Sequence, residues 1–122
     1  MLVPPVSRYM THNPHAIGSR ELLSDARALM QAHRIHHLPV VDDDRLVGII
    51  SADDLSGAVT DRIGDAMTRD VASVCADARL DEVVSLMNAG RLGSVVITGA
   101  DGVEGIFTIH DALRAFAEML AR

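Results

Sequence analysis

The chain has 122 residues, and 48% of them are hydrophobic, which is enough to form the core of a compact protein. Its formal charge of −6 at pH 7 disfavours a nucleic-acid surface, and no apolar run is long enough to span a bilayer. Lysine is absent, which excludes Schiff-base and lysine-general-base catalysis, and a single cysteine excludes an internal disulfide. Since the start of the chain lacks the pattern of a secretion signal, we expect a cytoplasmic protein.

The first strongly patterned element in chain order is a helix over roughly residues 24–33. Apolar side chains recur there every three or four residues, which predicts one buried helix face. The residues at that spacing are Leu22, Ala26, Leu29, Met30 and His33. Two β-branched runs follow, at 38–41 and 46–50, and the acidic turn 42–44 between them is typical of a β-hairpin. A second helix then begins at Ser51, whose hydroxyl can accept a hydrogen bond from a free backbone N–H.

The second half of the chain repeats the first at an offset of 57 positions (67 − 10 = 57) without a gap. Matching pairs are Met10 with Met67, Leu23 with Leu80, Met30 with Met87, Arg34 with Arg91, Gly48 with Gly105 and Asp54 with Asp111. A duplicated unit too small to fold well alone should pack against its copy. We therefore expect the functional site between the two halves.

The repeat predicts the elements of the second half. These are a helix over roughly 81–89, a hairpin from 95–98 and 103–107, and a last helix after Thr108 with Ala112, Leu113, Phe116 and Leu120 at helical spacing. The predicted fold class is α+β, with two pseudo-symmetric β-α-β-β-α repeats packed through their sheets as one compact module. The repeats are placed at residues 1–60 and 61–122.

The sharpest signal is a motif of Gly, two apolar residues, a hydroxyl residue, two variable residues and Asp, at 48–54 and 105–111. Its glycine permits close approach by another backbone or by a ligand ring. Its hydroxyl lies at a helix entrance, where free N–H groups favour an anion. Its aspartate, one helical turn later, can accept hydrogen bonds from vicinal hydroxyls such as those of a ribose. The hydroxyl residues are Ser51 and Thr108, and the aspartates are Asp54 and Asp111.

With both motifs, the segments 26–30 and 33–42, and the paired openings 9–11 and 66–68, the chain resembles the tandem CBS (cystathionine β-synthase) domain proteins, often called Bateman modules. The resemblance implies a homodimer that forms a disc of four CBS motifs. It also implies clefts between the repeats that bind AMP, ADP, ATP or S-adenosylmethionine. The implied role is a non-catalytic regulatory one, such as energy sensing, exercised through a dimer rearrangement or an unidentified effector protein. No obligatory cofactor is expected, although Mg²⁺ could accompany a bound nucleotide.

Carried over by position, the resemblance assigns ligand contacts to both repeats. The ribose would be held by Asp54 and Asp111, beside Ser51 and Thr108. The adenine would be walled by Leu38, Pro39, Val40, Val95, Val96 and Ile97, and on its other side by Ala16, Ile17, Ser73 and Val74. His36 and His37 match positions of phosphate-contacting side chains. Gly93 and Ser94 replace these histidines in the second repeat, so we expect the two sites to be unequal.

Simpler interpretations stay open for several residues. Each motif aspartate is also compatible with a helix-terminus or surface carboxylate, and Arg34 and Arg91 with cations that offset a helix dipole rather than bind phosphate. Cys75 is expected to be a buried, inert thiol.

Two other functions remain open from the sequence. One is a ligand-free dimerisation scaffold. The other is a metal-dependent hydrolase that uses the histidines, although adjacent His36 and His37 point to opposite sides of an extended chain.

Overall fold

The structure, a computed structural model, describes residues 2–122. Its elements in chain order are a 3₁₀ turn Val6–Arg8, β1 Thr11–His12, α1 Leu23–His33, β2 His37–Asp42, β3 Arg45–Ser51, α2 Ala52–Gly57, α3 Ile63–Ala66, β4 Ser73–Val74, α4 Leu80–Gly90, β5 Ser94–Gly99, β6 Gly102–Thr108 and α5 Ile109–Leu120. They form two compact units. The first unit is Pro14–Val71, and the second joins the chain up to Asn13 to Ala72–Arg122.

The first unit is built on the hairpin of β2 and β3, whose antiparallel register pairs His37 with Ser51. Short flanking segments extend this hairpin on both sides: Ile17 bridges Val40 in parallel, and Thr68 bridges Ile49 antiparallel. Helix α1 and the short helices complete an aliphatic core. The buried residues of that core are Ile17, Leu23, Ala26, Met30, Leu38, Val40, Ile50, Leu55 and Ile63.

The second unit contains a four-stranded sheet in the order β1-β6-β5-β4. Strand β1, from the start of the chain, pairs with β6 through Thr11 and Ile106, and β4 runs parallel to β5. The same arrangement therefore occurs in both units, because residues 11 and 68 are equivalent in the repeat. The buried core residues are Val6, Tyr9, Met10, Leu80, Val83, Met87, Val95, Ile97, Phe107 and Ala115.

The close approach of a neighbouring backbone explains the motif glycines. A Cβ on Gly48 would lie 2.9 Å from the carbonyl oxygen of Thr68, and one on Gly105 would lie 2.9 Å from that of Thr11. Of the two roles expected for this glycine, the structure thus shows the approach of a backbone. In each case the approaching segment is the opening of the other repeat: Thr68 approaches Gly48, and Thr11 approaches Gly105.

The predicted mixed α+β class with two repeats is confirmed, whereas several predicted details are corrected. On α1, Ala26 and Met30 are buried, but Leu22 is the residue preceding the helix and His33 is exposed. Cys75 is exposed, because β4 ends at Val74 and the thiol lies in the following turn. Within residues 2–122, none of the helices has the length and apolar character required to cross a bilayer.

Candidate functional site

The motif of the first unit forms a capping box at the junction of β3 and α2. The Ser51 hydroxyl accepts a hydrogen bond from the Asp54 backbone N–H at 3.2 Å, and Asp54 Oδ2 accepts one from the Ser51 N–H at 2.9 Å. This reciprocal pair satisfies two donors that the start of a helix would leave free. Asp54 is half-buried, and its Oδ1 receives no hydrogen bond from any described residue. Only one of the two carboxylate oxygens is thus engaged by the described residues.

The motif of the second unit has the same capping box but a differently occupied carboxylate. Asp111 Oδ2 accepts hydrogen bonds from the N–H and hydroxyl of Thr108, at 2.9 and 3.2 Å. Its Oδ1 accepts from the Thr11 hydroxyl at 3.4 Å and lies 3.3 Å from the Arg114 guanidinium. Asp111 is only 3% exposed. Both of its oxygens are therefore used within the unit.

Arg114 contributes to this difference between the repeats. Its guanidinium also donates to the carbonyl oxygen of Tyr9 at 2.7 Å, which holds it over Asp111. The equivalent residue in the first repeat is Gly57 (114 − 57 = 57), which has no side chain to place near Asp54. Sequence reasoning missed Arg114, although aligning the repeats one helical turn beyond each motif aspartate would have identified it.

Strand pairing brings His37 beside the motif of the first unit, since His37 is the cross-strand partner of Ser51. Burial lowers the pKa of His37, the neighbouring His36 lowers it further, and the carboxylates of Asp54 and Asp53 oppose both effects. His37 therefore stays neutral to lower pH than an exposed imidazole. His36 is exposed, and its backbone carbonyl accepts a hydrogen bond from Ala52 N–H at 2.9 Å.

The residues expected to wall the adenine fall into two classes. Leu38 and Val40, with Val95 and Ile97, point into the cores of their own units. Pro39 and Val96 are also buried but stand on the opposite faces of their strands, because successive side chains of a strand alternate.

Residues assigned to opposite sides of the adenine lie on neighbouring strands. Ile17 N–H donates to the carbonyl of Pro39 at 3.1 Å, and Ser73 pairs with Val96 and Val74 with Ile97. Ala16 and Ser73 are exposed, and Val74 is half-buried. The carbonyl of Pro39 already accepts a hydrogen bond within the protein.

A groove of about 510 Å³ lies between α1 and α2 in the first unit. Met30, Ile35 and Leu55 form its apolar part, and Arg27, Arg34 and His36 contribute polar and cationic groups. Arg27 donates to the carbonyl of Leu55 at 3.0 Å. Arg34 is the left-handed residue that ends α1, with φ of 54°. The exposed His36 thus lines the same groove as Arg27 and Arg34, and the sequence did not predict that these three residues would lie together.

The remaining histidines and the cysteine lie apart from this arrangement. His15 and His33 stack with ring centroids 3.7 Å apart in the first unit, whereas His12 and His110 belong to the second. Among residues 2–122, no three His, Cys, Asp or Glu side chains are positioned to hold a metal ion. Cys75 Sγ lies 2.8 Å from Asp77 Oδ1, and this hydrogen bond raises the pKa of the thiol.

Comparison with known proteins identifies the family of both repeats. The sequence model of the CBS domain matches residues 6–61 and 63–118. The chain is 32% identical over 101 residues to inosine-5'-monophosphate dehydrogenase of Thermoplasma acidophilum, a match that covers 81% of this chain and 21% of that enzyme. The chain thus spans only about a fifth of the length of this relative.

Two solved structures are similar over nearly the whole chain. The CBS domain pair of protein MJ0100, in complex with 5-methylthioadenosine and S-adenosyl-L-methionine, has a TM-score of 0.92 at 28% identity, covering 97% of this chain and 99% of that one. CBSX2 in complex with AMP has a TM-score of 0.85 at 27% identity, covering 98% and 99%. Both of these proteins were crystallised with adenosine-containing ligands.

Proposed function

The chain belongs to the CBS domain family, as a tandem pair of CBS domains, and we propose that it is a non-catalytic regulatory module that binds an adenosine-containing ligand. The candidate ligands are AMP, ADP, ATP and S-adenosylmethionine. The observation that carries the proposal concerns Asp54, whose Oδ2 is fixed by the capping box while its Oδ1 has no hydrogen-bond partner among the described residues. The adenosine compounds bound by the two similar CBS proteins support the same ligand class.

We propose that the repeats at 1–60 and 61–122 contribute unequal sites, with the stronger one at Asp54. There, Asp54 and Ser51 would hold the ribose, and His36 and His37 the phosphates. Pro39 would face the adenine, and because the side chains of Leu38, Val40 and Ile17 lie in the core, these residues, with Ala16, would border the adenine through their backbone groups. The two hydroxyls of a ribose can each donate a hydrogen bond, and the two oxygens of the Asp54 carboxylate would accept them. The capping box already holds this carboxylate in place.

The corresponding site in the second repeat is proposed to be weaker. A ribose would have to displace Thr11 and Arg114 from the buried carboxylate of Asp111. The other residues proposed for that site are Thr108, Ser73, Val74, Val95, Val96 and Ile97.

Signal transmission is proposed to occur through a homodimer and an effector protein, in the cytoplasm. A ligand shifts a conformational equilibrium only by its differential affinity for the two states. Mg²⁺ would enter only as the companion of a bound nucleotide.

Isothermal titration of AMP, ATP and S-adenosylmethionine into about 100 µM protein tests the proposal. We expect at least one ligand to bind and Asp54→Asn to weaken it by about tenfold or more, since a charge-assisted hydrogen bond contributes about 1.5 kcal/mol or more. Asp111→Asn is the matched control, and it should change that affinity much less. Absence of heat with every ligand would overturn the proposal and favour the alternative of a ligand-free dimerisation scaffold.

A further inference from the structure

The groove between α1 and α2 carries two arginines that have no carboxylate partner. Arg27 and Arg34 are both exposed, and within residues 2–122 neither of them forms an ion pair. The described residues that line the groove include no aspartate or glutamate. On a chain with a formal charge of −6, the groove is therefore a local concentration of positive charge that favours an anionic partner.

The Arg27 side chain reaches across the groove from α1 to α2. Its guanidinium donates a hydrogen bond to the carbonyl oxygen of Leu55 at 3.0 Å. A guanidinium has five N–H donors, so this contact orients the group and leaves further donors for a carboxylate.

An apolar floor separates the two arginines. Met30 and Leu55 are buried at its base, and Ile35 is half-buried beside them. Arg27 and Arg34 are seven residues apart (34 − 27 = 7), which corresponds to about 10 Å along a helix axis. A partner lying along α1 would meet a cation, an apolar strip and a second cation in that order.

This charge pattern belongs to the first repeat alone. At the offset of 57, Val84 stands in the place of Arg27 and Gly93 in the place of His36, whereas Arg91 matches Arg34. The duplicated architecture therefore does not require paired cations in this groove.

An acidic amphipathic helix fits both the charges and the floor. Acidic residues at positions i and i+7 of a helix place two carboxylates on one face about 10 Å apart, with positions i+3 and i+4 between them. Apolar side chains at those two positions would pack on the floor of the groove. An added strand is a poorer occupant, because strand addition needs an exposed sheet edge and this groove is formed by helices.

A second copy of this chain matches the groove poorly. Within residues 2–122, the only helix with two acidic residues seven apart is α5, with Asp111 and Glu118. Asp111 is 3% exposed and already lies 3.3 Å from the Arg114 guanidinium, so it is not free to pair with another chain. A small molecule with one anionic group would neutralise only one of the two arginines.

We propose that the α1–α2 groove is the docking site for an acidic amphipathic helix of another protein, with carboxylates seven residues apart paired to Arg27 and Arg34. This gives the chemistry of the effector protein, and it rests on the proposed function only for the regulatory meaning of the contact. The pairing of each arginine with a carboxylate offsets the cost of removing it from water.

A synthetic helical peptide of about 18 residues, with two glutamates seven residues apart and two leucines midway between them, is the probe. Fluorescence anisotropy with labelled peptide and about 1 µM to 1 mM protein should show saturable binding that weakens as salt is raised. A peptide of the same composition, with its glutamates on the face opposite the leucines, should bind much more weakly. Failure of the probe to bind, or equal binding of both peptides, would overturn the proposal.

Arg27→Gln and Arg34→Gln should each weaken binding of the probe by about twofold to fivefold, as expected for an exposed ion pair. Glutamine keeps a donor for the Leu55 carbonyl, and circular dichroism establishes that each variant is folded. Arg91→Gln is the matched control from the second repeat and should bind as the wild type does. Unchanged binding by both groove variants would contradict the proposed contact.

Two other occupants have their own outcomes, and each overturns the proposal. Octanoate that displaces the probe with equal affinity would assign the groove to a small amphiphile. A dimer that Arg27→Gln dissociates in sedimentation velocity, with no binding of the probe, would assign it to a second copy. Because these titrations contain no nucleotide, their failure is distinguishable from failure of adenosine binding.

Discussion

Replacing each motif aspartate by alanine should destabilise the protein unequally, although the two residues occupy equivalent positions. Asp54→Ala removes a capping box, which typically contributes about 1 kcal/mol to helix stability. Asp111→Ala removes the same box and, in addition, the carboxylate oxygen that accepts a hydrogen bond from Thr11 and forms an ion pair with Arg114. The stability of the second unit therefore depends more on its aspartate.

The structure sets the size of the difference. A hydrogen bond to a charged group contributes up to about 3 kcal/mol, and an exposed ion pair less. Because the Arg114 side chain is 54% exposed and Thr11 is also exposed, both groups can return to water. We therefore assign about 1.5 kcal/mol to this pair of contacts, and expect about 2.5 kcal/mol in total for Asp111→Ala. With about 4 °C of melting temperature per kcal/mol for a domain of this size, the shifts should be about 10 °C for Asp111→Ala and about 4 °C for Asp54→Ala.

Thermal and urea unfolding of ligand-free protein, followed by circular dichroism, measures both variants. Arg114→Gln is an informative third variant, because it removes the ion pair while leaving the capping box. It should lie between the wild type and Asp111→Ala. Equal shifts for the two aspartates, or a larger shift for Asp54→Ala, would refute the argument that Asp111 is structurally engaged while Asp54 is available.

Three further predictions concern close packing, pH and thiol reactivity. Gly48→Ala should lower stability by about 1–3 kcal/mol because the new Cβ meets a backbone carbonyl, whereas Gly99→Ala meets only the end of a movable side chain and should cost less in the same urea titration. Burial lowers the pKa of His37 in the folded protein below 6.5, so the imidazole of the unfolded chain is protonated first as pH falls below about 6.5. Stability should therefore decrease as pH falls through this range. The decrease in melting temperature should be shallower for His37→Gln. Asp77→Asn should accelerate alkylation of Cys75 by iodoacetamide at pH 8, since the hydrogen bond to Asp77 raises the pKa of the thiol; unchanged rates would contradict that cause.

The lowered pKa of His37 also affects the pH dependence expected of its proposed phosphate contact. A phosphate-contacting imidazole would ordinarily strengthen polyphosphate binding as pH falls toward about 6. Because burial keeps His37 neutral in the free protein to lower pH, any such increase due to His37 should begin at lower pH. Titrations with ATP at several pH values, in wild type and His37→Gln, separate its contribution.

The sequence by itself determined the repeated strand, helix, hairpin and helix, because these follow from local periodicity, turn composition and capping. Ser51 and Thr108 were predicted to begin helices, and both side chains do accept the capping hydrogen bond. The family was also recognisable from the duplicated motifs, since each half carries the same residue types at the same spacing.

The tertiary structure decided which of two equivalent carboxylates is fully engaged within its own unit. Asp54 and Asp111 are indistinguishable in their motifs, and only the positions of Thr11 and Arg114 show that the second carboxylate is buried and engaged. The tertiary structure also decided that the apolar series on α5 is exposed, although its spacing alone is compatible with burial. Local pattern fixes which side chains share a face, whereas contacts between residues distant in sequence determine which face is covered and which charge is already neutralised.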